Sequence, residues 1–182
     1  MALRNLRYDT DPILHKKAAE VTNIDEKIQV LIDDMFETME KFYGVGLAAP
    51  QVGISRRVIV IDTGEENERF ALINPVVTKF SKETCDLEEG CLSYPGLFGM
   101  VERSTSCEVK ALDRNGKEIT IKAKGLLAQA LQHEINHIDG IVFTDLAKEG
   151  TYFTYGKNEK VIKNVYYDEK QHRVMLNKPN KK

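Results

Sequence analysis

From Asp25 onward, Ile28, Leu31, Ile32, Met35, Phe36, Met39 and Phe42 recur at helical spacing, the pattern of an amphipathic helix with one face on a core. Gly44 follows where a left-handed C-terminal cap is expected. The methionine and phenylalanine residues of the stripe read as core packing rather than as a cofactor contact. The period then changes. Arg57-Val-Ile-Val-Ile-Asp62 is a continuous apolar run and reads as a buried strand; Arg69 to Val77 reads as another, interrupted at Pro75, with Thr63 to Asn67 as the turn between them. Ser106 to Asp113 and Glu118 to Lys124 alternate apolar with polar, and Asn115-Gly116 between them predicts a hairpin. Cys107, Val109 and Ala111 fall on one face and Ile119, Ile121 and Ala123 on the matching face, which makes Cys107 a core residue. Leu126, Leu127, Ala128, Ala130 and Leu131 favour a second helix, with Asp139-Gly140 placed to stop it.

The remaining segments are less decisive. Asp11-Pro12 reads as a turn, Ile13 to Val21 commits to neither helix nor strand, and His15 reads as a surface residue. Gly44 to Gly53 is a run of small residues and turn formers whose backbone can lie close to a ligand; a tight loop between elements is the competing reading. It lacks the Gly-Lys-Ser/Thr ending of a phosphate loop. Residues 148–182 carry aromatic pairs and scattered lysines to which no chemistry can be assigned.

Composition narrows the class. With 182 residues, 42% hydrophobic and 30% charged, one globular domain over residues 1–182 is expected. A net charge of −2 argues against a generally nucleic-acid-binding surface, so no DNA partner is expected. Met1 to Arg7 lacks the apolar run of a signal peptide, and no stretch is long enough to span a bilayer, so the expected location is the cytoplasm, away from the membrane. Three cysteines, Cys85, Cys91 and Cys107, cannot all pair within the chain, which argues against a disulfide framework.

The candidate chemistry lies in Gln132-His133-Glu134-Ile135-Asn136-His137. On a helix of about 3.6 residues per turn, His133 and His137 project from one face toward a common point, and Glu134 beside them can serve as a general base without coordinating. A chance match on an amphipathic helix is the bland alternative. Two histidines leave an active-site metal short of a protein ligand. Cys91, in Glu88-Glu89-Gly90-Cys91-Leu92-Ser93 before a Tyr-Pro-Gly turn, is the best donor. Asp145 is the carboxylate alternative, and Cys91 as a small core residue remains open. A closed, non-catalytic metal site would need a fourth ligand, for which Cys85 is the nearby thiol. An endopeptidase would share the His-Glu-x-x-His pattern but not the Cys91 segment.

Gly44 to Gln51, Glu89 to Ser93 and Gln132 to His137, in that order, resemble the three motifs of the peptide deformylase family. The similarity runs from about Leu3 through Leu146 and fades over 148–182, where the family varies. The resemblance implies an α+β fold: a single compact domain with antiparallel β-sheets packed around a central metal-binding helix. It implies a cytosolic hydrolase that removes the N-formyl group from the initiator methionine of nascent polypeptides, with transient ribosome association. It implies one divalent metal, iron(II) in the cell, with zinc or nickel as alternatives in isolated protein. Carried over by position, Cys91, His133 and His137 are the metal ligands and Glu134 the acid/base. Gln51 and the Leu92 N–H form the oxyanion hole, and Gly46 contacts substrate backbone. One departure is visible: Asn136 stands where many members have Asp, which touches a charge contact behind the ligands rather than the ligands themselves.

Overall fold

The computed structural model describes residues 2–155 and, beyond them, the backbone of three short strands. Along the chain, α1 is Glu26–Lys41, β1 Gly46–Ala48, β2 Val58–Asp62, β3 Arg69–Phe80, β4 Thr84–Cys91, β5 Tyr94–Ser104, β6 Ser106–Leu112, β7 Glu118–Lys124, α2 Gly125–Ile138, α3 Phe143–Leu146 and β8 Thr154–Tyr155. The last three strands are β9 Lys160–Val161, β10 Val165–Asp168 and β11 Arg173–Leu176. Strands β1, β2, β3, β6 and β7 form a five-stranded sheet in that order, with antiparallel pairing throughout.

The continuous apolar run of β2 follows from its place in this sheet. Val58 and Val60 pack toward α1, with Leu31, Ile32, Met35 and Met39. Ile59 and Ile61 point the other way, into a second core with Leu127, Leu131, Ile135 and Ile138 of α2. A strand covered on both faces has no polar side to alternate with. Cys107, Val109 and Ala111 of β6 join the α2 core as expected, and burial pushes the Cys107 thiol up to about 11. The paired strands β4 and β5 stand apart from the five-stranded sheet. They pack through Tyr94, Leu97 and Val101 on a third core that includes Leu14, Val142, Phe143 and Tyr152. The architecture is α+β, with antiparallel sheets around the buried helix α2.

Two local expectations need correction. The left-handed residue ending α1 is Tyr43, at φ 56°, not Gly44. The Gly44 N–H donates to the Met39 carbonyl at 3.0 Å and the Tyr43 N–H to the Glu40 carbonyl at 3.1 Å, closing the helix end one residue early. Gly44 is glycine for space: a Cβ there would lie 2.9 Å from Cδ1 of Leu92. Nor does Pro75 interrupt β3, which runs through it to Phe80. A bulge between Ile73 and Val76 absorbs the missing donor, with Asn74 at φ 52° bonding both the N–H and the carbonyl of Val21 at 2.9 Å.

Candidate metal centre and active-site cleft

Helix α2 stops where the sequence predicts. Gly140 takes φ 78°, and the Ile141 N–H returns to the Asn136 carbonyl at 2.9 Å. Arg57 of the β2 entry holds this end, donating to the Ile138 carbonyl at 3.3 Å and to Asp139 Oδ1 at 2.6 Å. The anchored helix presents His133 and His137 on one buried face, ring centres 4.9 Å apart. Cys91 ends β4 at the turn into β5, and its Sγ lies 3.2 Å from Nε2 of His137. One ligand atom from each of Cys91, His133 and His137 falls within 4.8 Å of the others, and among the described residues no other such group gathers.

The surroundings fit a divalent ion. Nδ1 of His133 lies 2.9 Å from Glu89 Oε2, which leaves Nε2 to face Cys91. A carboxylate behind a ligating imidazole fixes its tautomer and raises its basicity. Arg103 grips the same carboxylate, Nε to Oε1 at 2.7 Å and Nη2 to Oε2 at 2.9 Å, and donates through Nη1 to Asn136 Oδ1 at 2.5 Å. Burial pushes the Glu89 carboxyl up, but His133 and Arg103 outweigh it and hold it down at about 2. Burial, reinforced by the neighbouring His133, pushes His137 well below the ordinary histidine value; burial pushes His133 down as well, but its contacts with Cys91 and Glu89 outweigh this and hold it well above, so a metal bound here would displace a proton from His133. Two imidazoles and a thiol converging beside a cleft are a donor set that could hold such an ion.

That cleft has a volume of about 680 Å³ and is lined by Gly46, Gln51, Cys91, Leu92, His133 and Glu134, with Phe42, Leu97, Phe98 and Leu126 among its apolar walls. His137 lies behind it, 1% exposed. Oε2 of Glu134 is buried without a hydrogen-bond partner among the described residues, and burial pushes this carboxyl up to about 7. Gly46 packs on the same side chain; a Cβ there would meet Glu134 Oε1 at 2.6 Å. The Ala48 N–H donates to Gln51 Oε1 at 2.8 Å, which turns Nε2 toward Cys91 Sγ at 3.3 Å and Ser93 Oγ at 3.2 Å. All seven residues anticipated from the sequence thus lie in one place.

The competing donors do not. Asp145 is exposed and its Oδ2 accepts from the Val142 N–H at 2.9 Å, capping α3; it is not in the ligand cluster. Cys85 sits near the other end of β4, outside the cluster. Sequence reasoning gave no role to Glu89 or Arg103. Glu89 had a usable signal: it lies two residues before Cys91 in a strand, so both side chains leave the same face. Arg103 had none, because only the folded hairpin brings it back to Glu89.

Residues 3–151 match the profile of the polypeptide deformylase family. The chain belongs to that family. A peptide deformylase of Natranaerobius thermophilus is 52% identical over 149 residues, covering 82% of this chain and 95% of that protein. A crystal structure of a peptide deformylase from Legionella pneumophila superimposes with a TM-score of 0.78 at 46% identity, over 81% of this chain and 88% of that one. One from Thermotoga maritima gives 0.78 at 40% identity, over 81% and 99%. The deformylase is a metal-dependent hydrolase that removes the N-formyl group from the N-terminal formylmethionine of newly synthesised polypeptides, releasing formate. No helix among the described residues is long and apolar enough to cross a membrane.

Proposed function

We propose that Cys91, His133 and His137 hold the metal, that Glu134 is the acid/base, and that Gln51 Nε2 and the Leu92 N–H receive the charge on the formyl oxygen. The observation that carries this reading is the convergence of three donor atoms within 4.8 Å beside Glu134, whose Oε2 has no hydrogen-bond partner among the described residues. When bound, the divalent ion supplies a Lewis acid that polarises the formyl group and acidifies water. Glu134 takes a proton from the attacking water and returns it to the departing amine. A carboxyl raised toward neutrality by burial suits both transfers. Gln51, its amide locked by the Ala48 N–H, presents a preset donor to developing negative charge. Gly46, without a side chain between substrate and Glu134, lets the substrate backbone come close, and the apolar walls receive the methionine side chain.

The cellular ion is iron(II) in this proposal, with zinc and nickel also accepted, since a thiolate and two imidazoles bind several such ions. The enzyme works in the cytoplasm with transient ribosome contact, where formylated chains emerge. Metal content and formate release from a formyl-methionyl peptide test the roles together. Glu134→Ala keeps one metal per chain and loses formate release; Cys91→Ala loses both. Full metal retention in the cysteine variant would remove Cys91 from the ligand set, and normal turnover in the glutamate variant would remove the proposed acid/base.

A further inference from the structure

The family match ends at residue 151, yet the described chain continues to Phe153 and Tyr155, and both reach back to the cleft. The Phe98 N–H donates to the Phe153 carbonyl at 3.0 Å and the Phe153 N–H to the Phe98 carbonyl at 2.9 Å, an antiparallel bridge between β5 and the segment leading into β8. The two rings stack at 5.6 Å, and Tyr155 meets Phe98 edge-on at 4.8 Å and Phe153 at 5.6 Å. The Tyr155 hydroxyl donates to Glu88 Oε1. Phe98 and Glu88 are themselves cleft-lining residues. Neither is held only by this segment: Gln129 of α2 donates to the Glu88 carbonyl at 2.9 Å, and the Phe98 ring occupies the space a Cβ at Gly90 would need, 2.6 Å away.

We propose that Phe153 and Tyr155 are positioning residues: the chain beyond the family match completes the cleft wall by fixing Phe98 and Glu88 in the place where they receive the formylated polypeptide. The inference rests on the cleft being the substrate site. An aromatic ring free to leave the wall must be ordered again each time a peptide binds, whereas a ring clamped by two backbone bonds and two aromatic neighbours is ordered beforehand. Because both residues act on Phe98 and Glu88, which line the cleft and are not members of the ligand cluster, the effect falls on binding rather than on the chemical step.

The test is steady-state formate release by the full-length metal-loaded enzyme on formyl-Met-Ala-Ser, with Phe153→Ala, Tyr155→Phe, Phe98→Ala and the Phe98/Phe153 double variant. One aromatic contact is worth enough to raise KM by about three- to tenfold in Phe153→Ala, with kcat changed less. Tyr155→Phe, which deletes only the hydroxyl, raises KM by a smaller factor without a change in thermal midpoint. The double variant is no worse than Phe98→Ala alone, because Phe153 acts through that ring. Unchanged KM in both Phe153→Ala and Tyr155→Phe would overturn the proposal, as would losses that multiply in the double variant or that fall on kcat. Absence of formate release by the parent enzyme would defeat the reading of the site instead, so the two failures are distinguishable.

Discussion

A carboxylate with 4% exposure is costly to keep ionised, and Glu89 stays ionised because Arg103 and His133 both face it. That places the cost of the metal centre one step behind its proposed ligands. Arg103→Met would leave the carboxylate buried with His133 alone. The expected loss is about 3–5 kcal/mol of stability, read from urea unfolding, together with roughly 10–100-fold weaker metal binding from the loosened imidazole, read by competition with a chelator. Unchanged metal affinity would mean that His133 is oriented by the helix alone. The Asn136 departure reads differently in this light. Its Oδ1 accepts from Arg103 without adding a second negative charge, so the guanidinium keeps Glu89 as its one carboxylate in this cluster.

Elements set by periodic burial were legible in the sequence; those set by contacts from elsewhere were not. The α1 stripe, the β2 run, the β6–β7 hairpin and α2 each bury a face that the pattern of residues declares. The β4–β5 pair was hidden because its inward positions are not uniformly apolar: burial alternates from Leu97 to Ser104, but Gly99 and Arg103 hold two of the buried places in β5, and Glu89 is buried in β4 by an ion network. The end of α1 misled for a related reason: the glycine that looked like a cap is reserved for Leu92, and the left-handed turn falls on Tyr43. Tyr43 is 96% exposed and gives up little packing. Left-handed backbone costs a non-glycine residue about 1–2 kcal/mol, so Tyr43→Asn, which adopts it more readily, is expected to raise stability by about 0.5–1 kcal/mol. The urea midpoint measures this, and a lower midpoint would show that the tyrosine ring packs in solution. The site was read further than its supports: ligands recur in motifs, whereas Arg103 reaches Glu89 only through the hairpin.

At the scale of the molecule, the β4–β5 hairpin is joined to α2 by few bonds besides the metal centre. Gln132 pairs with both backbone groups of Ser104, at 3.2 and 2.9 Å, Gln129 reaches the Glu88 carbonyl, Arg103 donates to Asn136, and Glu89 meets His133. A metal held by Cys91, near the tip of the hairpin, and by two histidines of α2 would therefore tie to the helix the part of the hairpin farthest from its base, where β3 and β6 of the five-stranded sheet join it. Binding that occurs only in the folded state stabilises it by about 2.7 kcal/mol at a hundredfold excess of free metal over Kd, which in a chain of this size corresponds to a midpoint shift of roughly 5–10 °C. Chelation should lower the thermal midpoint by that amount and speed hydrogen exchange in β4 and β5 more than in α1 or β2. Glu134→Ala should retain the metal-dependent shift, because its proposed role is to move protons and not to bind the ion, and Cys91→Ala should abolish it. If chelation accelerated exchange evenly over all elements, the metal would be stabilising the fold as a unit, and its proposed role as the tie between hairpin and helix would be lost.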